Sequence, residues 1–164
     1  MPDYPPEAVP ARGRGRGRTA RERARAELTL EIKEEARRQL AAAGADGLSL
    51  RAVARELGMV SSALYRYYPS RDDLLTALII DAYDAIGDAT ERAAAGPAGR
   101  PRERWAAACH AIRDWARARP HEYALIYGSP VPGYRAPQST VAPAARVPVA
   151  LVGVLAAAAA DGTL

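Results

Sequence analysis

Ser61, Ser62, Tyr65 and Arg66 bring hydroxyls, a phenol and a guanidinium together in one short segment. Hydroxyls donate to phosphate oxygens and a guanidinium spans the O6 and N7 acceptors of guanine, so this set suits a DNA duplex. Tyrosine adds a flat apolar body for thymine methyl groups. Catalytic chemistry has no comparable set. Cys109 and His110 are a nucleophile and a base by type, but neighbours on a helix with 3.6 residues per turn point about 100° apart, so Cys109 reads as a core cysteine. His121 beside Glu122 opens a helix and reads as a capping or surface residue. No HExxH or CxxC spacing occurs, and no glycine-rich phosphate loop follows a strand. An enzyme, a metal site and a cofactor are therefore not expected.

For that polar flank to meet DNA it must stand on a helix held clear of its supports. Leu28, Ile32, Ala36, Leu40 and Ala43 recur at helical steps and predict a first helix that ends at Gly44. Ser49 is a plausible N-cap for a second, with Leu50, Val53, Ala54 and Leu57 at i, i+3, i+4 and i+7 before Gly58. A third helix of about seven residues, SSALYRY, follows with Leu64 and Tyr68 inward, and Pro69 stops it. Val60 precedes it where a hydroxyl would cap better, so the cap is expected to shift to Ser61. Ser70 caps a long fourth helix with Asp72 and Asp73 in its first turn and Leu75, Leu78, Ile79, Ala82, Tyr83 and Ile86 as its buried stripe. After the loop from Gly96 to Pro101, Trp105, Ala108, Cys109, Ile112 and Trp115 share the face of another helix. A short helix with Tyr123, Ile126 and Tyr127 comes after Pro120, then a proline- and glycine-rich loop, then a last alanine-rich helix from about Ala144 to Ala160. No stretch alternates with period two, so the expected fold is all-α.

The whole chain has 164 residues, 49% hydrophobic and 26% charged, which suits one globular domain or two small ones sharing a core. Its one cysteine excludes a disulfide scaffold, and the opening residues lack a secretory signal, so a cytoplasmic location is expected. The longest apolar run, Val147 to Ala160, is shorter than the roughly 20 residues of a membrane span, so no membrane association is expected. Net charge is +4 with a pI near 9.5, and the excess sits at one end. From Ala11 to Arg25 seven arginines face one acid, Glu22. Residues 1–20 hold too few aliphatic side chains to fold and read as a mobile arm. Its alternating RGRGRGR, with Arg14, Arg16 and Arg18, suits the DNA minor groove or phosphate neutralisation, the alternative being a solvated tail.

Two short helices around a glycine-containing turn, packed on a longer one, make a helix-turn-helix. The segment LSLRAVARELGMVSSALYRYYPSRDDLLTALI, Leu48 to Ile79, resembles the tetracycline-repressor (TetR) family of bacterial regulators. The resemblance rests on Leu50, Val53, Ala54, Leu57-Gly58, Leu64-Tyr65, Tyr68, Pro69-Ser70, Arg71, the acidic pair and Leu74-Leu75. It implies a three-helix DNA-binding domain over residues 21–70, joined by the long fourth helix to a helical effector-binding and dimerisation domain over 71–164. It also implies DNA contacts at Arg51, Ser61, Ser62, Ala63, Tyr65, Arg66, Tyr67 and Arg71. The second half is similar to a subgroup with Trp, Pro and Gly signatures, here Trp115, Pro120, Tyr123, Gly128 and Pro130 through Pro137, although Arg119 stands where that subgroup often has histidine. Family members usually continue through two long helices, so the second domain is either incomplete or dimerises differently. Trp105, Cys109, Ile112, Trp115, Tyr123 and Tyr127 are either ordinary core or the lining of an effector pocket. The resemblance implies a homodimeric regulator of double-stranded DNA, a repressor released from a palindromic operator by an unidentified small molecule. The alternative is a helical small-molecule-binding protein whose nucleic-acid affinity is purely electrostatic.

Overall fold

A computed structural model describes residues 19–96 and 100–162; residues 1–18 of the expected arm, with Arg14, Arg16 and Arg18, lie outside them, whereas Thr19 and Ala20 cap and begin the first helix. Among the described residues there are seven α-helices and no strand: α1 Ala20–Ala43, α2 Leu50–Glu56, α3 Ser61–Leu64, α4 Arg71–Ala94, α5 Pro101–Ala118, α6 Pro120–Tyr127 and α7 Val141–Ala160. Single 3₁₀ turns precede α2 (Ala45–Gly47) and α7 (Gln138–Thr140).

Helix α1 starts with a capping box. The Glu22 amide donates to Thr19 Oγ1 (3.2 Å) and the Thr19 amide to Glu22 Oε2 (2.8 Å), satisfying two donors at the helix start. Its apolar stripe is narrower than expected: Ile32, Ala36 and Leu40 are buried, Leu28 is half-buried and Ala43 is exposed. These side chains pack with Leu48, Leu50, Val53 and Ala54 around α2, with Leu64 and Tyr68, and with Leu74, Leu75 and Leu78 of α4 in one core. The turn between α2 and α3 passes through Gly58 at φ +63°, a left-handed conformation that side chains resist. The Met59 amide then closes the end of α2 on the Ala54 carbonyl at 2.8 Å.

The third helix is shorter than the sequence predicts. It holds α-geometry over four residues, and the following amides tighten to i−3 bonds, Arg66 on Ala63 (3.3 Å) and Tyr67 on Leu64 (2.8 Å). Pro69 excludes Tyr68 from helical geometry, and a 3₁₀-like last turn lets the chain leave while satisfying those amides. Val60 itself is the N-cap, without a side-chain bond, so the cap does not shift to Ser61, which lies inside the helix.

Helix α4 belongs to both halves. Its first turns fill the head core; further along, Ala82 and Ile86 pack with Trp115 of α5 and Val147 of α7, and Ala94 packs with Ala108 and Val154. Gly87 sets the approach of α7, because a Cβ there would lie 2.9 Å from Cβ of Arg146. Arg146 crosses this seam and donates to Asp84 (2.9 Å), Asp88 and Glu91 (2.6 Å), three carboxylates on one face of α4. Helices α5 and α6 both begin with proline at the first position, where its missing N–H costs nothing. Helix α7 begins earlier than expected. By length and composition the 23-residue stretch Gln138–Ala160 is long and apolar enough to cross a membrane, longer than the run Val147 to Ala160 suggests. In the fold Val147, Val154 and Ala158 are buried, while Val149, Val152 and Leu155 on its other side are exposed.

Candidate nucleic-acid interface

Burying Leu64 completely and Tyr68 to 8% exposure fixes the rotation of the recognition segment. The exposed side chains are then Ser62, Tyr65 at 41% and Arg66, with Ser61 and Ala63 half-buried. Arg51 projects from the first turn of α2, where Ser49 Oγ accepts from the Ala52 amide at 3.4 Å and orients the helix start. Arg51, Tyr65 and Arg71, distant in sequence, line one surface depression of about 440 Å³ with Ser49, Pro69 and Ser70. No carboxylate lines it.

Two expected contacts have other partners. Arg71 is half-buried, and its guanidinium donates to the Ala45 carbonyl (2.7 Å) and the Leu48 carbonyl (3.3 Å), with Asp72 3.4 Å away. It satisfies the turn before α2, which ties α4 to the supports of the recognition segment. Tyr67 is half-buried against the head core, with the Arg25 guanidinium 4.9 Å from its ring centre. Arg25 is thus held beside the recognition segment; the sequence signal for it was the arginine run leading into α1. Burial is the main cause raising the Tyr68 phenol above its usual pKa, with Asp81 adding to it and Arg37 opposing. Tyr68 therefore remains a neutral core residue.

The head is locked to the second half by ion pairs. Lys33 and Arg37 of α1 reach the two oxygens of Asp81 on α4 at 2.8 and 2.7 Å, and Arg37 also reaches Glu122 of α6 at 3.3 Å. Sequence reasoning missed this seam because its partners lie more than 40 residues apart.

The six residues considered for an effector pocket lie in different surroundings. Trp115 is buried and Ile112 packs beside it; Trp105 belongs to a separate cluster. Cys109 is half-buried. Tyr123 and Tyr127 are exposed and lean on each other at 5.1 Å. A helix stripe selects residues facing a core, and Ile112 with Trp115 and Trp105 with Ala108 pack into two such clusters. Tyr83, Ile126, Tyr134 and Thr140 instead line one cavity between α4, the end of α6 and the start of α7.

The family description "Bacterial regulatory proteins, tetR family" matches residues 32–78, and "Tetracyclin repressor-like, C-terminal domain" matches residues 105–163. The HTH-type transcriptional regulator Mb1846 of Mycobacterium bovis is 48% identical over 139 residues, covering 82% of this chain and 58% of its own length. The HTH-type transcriptional repressor DrrR1 of Streptomyces coeruleorubidus is 40% identical over 86 residues, which is 52% of this chain and 29% of the relative. Among solved structures, the regulatory protein SCO4313 superposes with a TM-score of 0.77 at 46% identity, covering 85% of this chain and 66% of that one. The chain thus spans 58% of the length of Mb1846.

Proposed function

The chain belongs to the tetR family of bacterial regulatory proteins, and from that premise we propose that it is a sequence-specific DNA-binding transcriptional regulator, a repressor released by a small molecule. One observation carries this reading: Ser62, Tyr65 and Arg66 stand outward on a helix-turn-helix whose inward residues Leu64 and Tyr68 are buried, with Arg51 beside them. Arg66 reads a base edge in the major groove, Tyr65 covers a thymine methyl or bonds a phosphate, and Ser62 and Arg51 fix the register on the backbone. Ser61, Ala63 and Tyr67 line the approach, and Arg71 braces the head from within. The arm with Arg14, Arg16 and Arg18 adds phosphate or minor-groove contacts.

The head spans residues 21–70 and the effector and dimerisation half 71–164. Two copies place their recognition segments about 34 Å apart, in successive major grooves of a palindromic operator. The protein works in the cytoplasm, beside the chromosome, and its role is binding rather than catalysis. The test is an operator selected from random duplexes, bound by the parent chain and by the Tyr65→Ala, Arg66→Ala double variant. Each lost base contact weakens specific binding by about 1–3 kcal/mol, with thermal melting unchanged. Undiminished specific binding by the double variant overturns the assignment.

A further inference from the structure

Two cavities flank one strip of chain formed by the end of α6 and the loop after it. Leu125, Ser129, Pro130 and Val131 line both. On one side is a cavity of about 480 Å³ between α4, this strip and the start of α7, walled by Ile79, Tyr83, Ile126, Tyr134, Thr140 and Val141 among others. On the other is a cavity of about 350 Å³ against the head, reaching Leu40, Gly44, Ala45 and Asp46 at the end of α1 and the turn after it. The larger falls in the roughly 300–1,000 Å³ range of small-molecule sites.

The chemistry of the larger cavity is selective. No Lys, Arg, His, Asp or Glu lines it, so nothing there compensates a ligand charge taken out of water. Two of its hydroxyls have committed their protons. Tyr83 donates to the Ile126 carbonyl at 3.1 Å and Thr140 to the Pro137 carbonyl at 2.8 Å. A hydroxyl carries one proton and two lone pairs, so both can offer a ligand only acceptor sites. Tyr134 and Thr76 are hydrogen-bonded at 2.8 Å with either hydroxyl as donor, so Tyr134 and the exposed Ser129 are the lining hydroxyls that can turn either way. Burial, and secondarily Tyr134, raise the Tyr83 phenol above its usual pKa, which keeps the wall neutral.

We propose that this cavity takes an uncharged, mainly apolar molecule carrying a hydroxyl or amide N–H donor, with Tyr83 and Thr140 as its acceptors. The identification of this molecule as the effector rests on the regulator reading above; its binding does not. Filling the cavity presses the shared strip toward the smaller cavity, which gives it room to move against the head. The same helix carries Glu122, paired with Arg37 of α1, so the movement reaches the helix that supports the recognition segment.

A matched set of rigid probes tests the ligand class on the full chain by calorimetry, without DNA: 4-phenylphenol, 4-methoxybiphenyl and biphenyl-4-carboxylate. The phenol is expected to bind roughly tenfold or more tightly than the ether, which lacks the donor, and than the carboxylate, whose charge goes unpaired. Tyr83→Phe should narrow the gap between phenol and ether. Ala144→Trp, and separately Val141→Trp at the exposed helix start, should abolish phenol binding by filling the space. Equal or tighter binding of the ether or carboxylate overturns the proposal, as does phenol binding that survives both tryptophan variants in a folded chain. The phenol should also weaken operator binding. If the ranking holds but no operator is bound, the ligand site stands and the regulator reading fails; if the operator is bound but the ranking is reversed, the opposite is true.

Discussion

Leu64 and Tyr65 are chain neighbours with opposite surroundings, and that difference defines the recognition surface. Leu64 is fully enclosed, whereas Tyr65 is 41% exposed. Leu64→Ala should destabilise the fold by about 2–5 kcal/mol through lost burial and an uncollapsed cavity, measured by urea unfolding. Tyr65→Phe, by contrast, should stay within about 0.5 kcal/mol of the parent. The outward set Ser62, Tyr65 and Arg66 was legible from residue type and helical spacing once Leu64 and Tyr68 were assigned inward. The placement of Arg71 was not. The family resemblance implies a DNA contact at Arg71, yet its donors are directed at the Ala45 and Leu48 carbonyls, which local sequence does not bring near it.

At the scale of elements, the starts and stops were the most legible features because they depend on local chemistry. Ser49 and Ser70 each accept a backbone N–H at a helix start and Gly58 supplies the left-handed turn, whereas the Thr19 cap falls in the stretch read as an arm. The weak element is α3, four residues long and capped by Val60 with no side-chain acceptor. Val60→Ser supplies that acceptor on a side chain now 70% exposed, so nothing buried is lost. The variant should gain about 0.5–1 kcal/mol in urea unfolding, and an unchanged or lower stability would show that a serine acceptor adds nothing to the bond the Ala63 amide already makes to the Val60 carbonyl at 2.9 Å. The length of α3 was overestimated because Tyr65 to Tyr67 contain no breaker of their own; the constraint comes from Pro69 beyond them. The start of α7 was placed too late because Pro143 lies in its first turn, where proline is tolerated.

At the scale of the molecule, α4 holds the two halves together, and its ionic seams have a pH signature. Arg146 chiefly, through its hydrogen bond, holds the Glu91 carboxyl below the ordinary glutamate range. Because the folded pKa is the lower one, this stabilisation is complete above the ordinary glutamate value and is lost as pH falls through the depressed value. The carboxylates are 43–51% exposed, so solvent screening keeps each pair modest, and Arg146→Met should cost about 1–2 kcal/mol near neutral pH. The variant should also lack part of the parent's loss of stability in acid. Urea unfolding from about pH 3 to 7 measures both effects, and parallel pH profiles for parent and variant would refute the role of this seam.

By itself the sequence determined the helical class, the boundaries set by caps, glycines and prolines, and the residue types available to a duplex, because each of these follows from interactions within a few residues. Only the tertiary structure decided that Arg71 braces the head, that Arg37 and Asp81 join the halves, and that Tyr83 and Tyr134 line a cavity while Trp115 is buried in a core. Those outcomes depend on distances between segments 23 to 58 residues apart. A helical stripe marks a face to be buried, and the fit of whole helices decides whether that burial is filled or leaves a cavity.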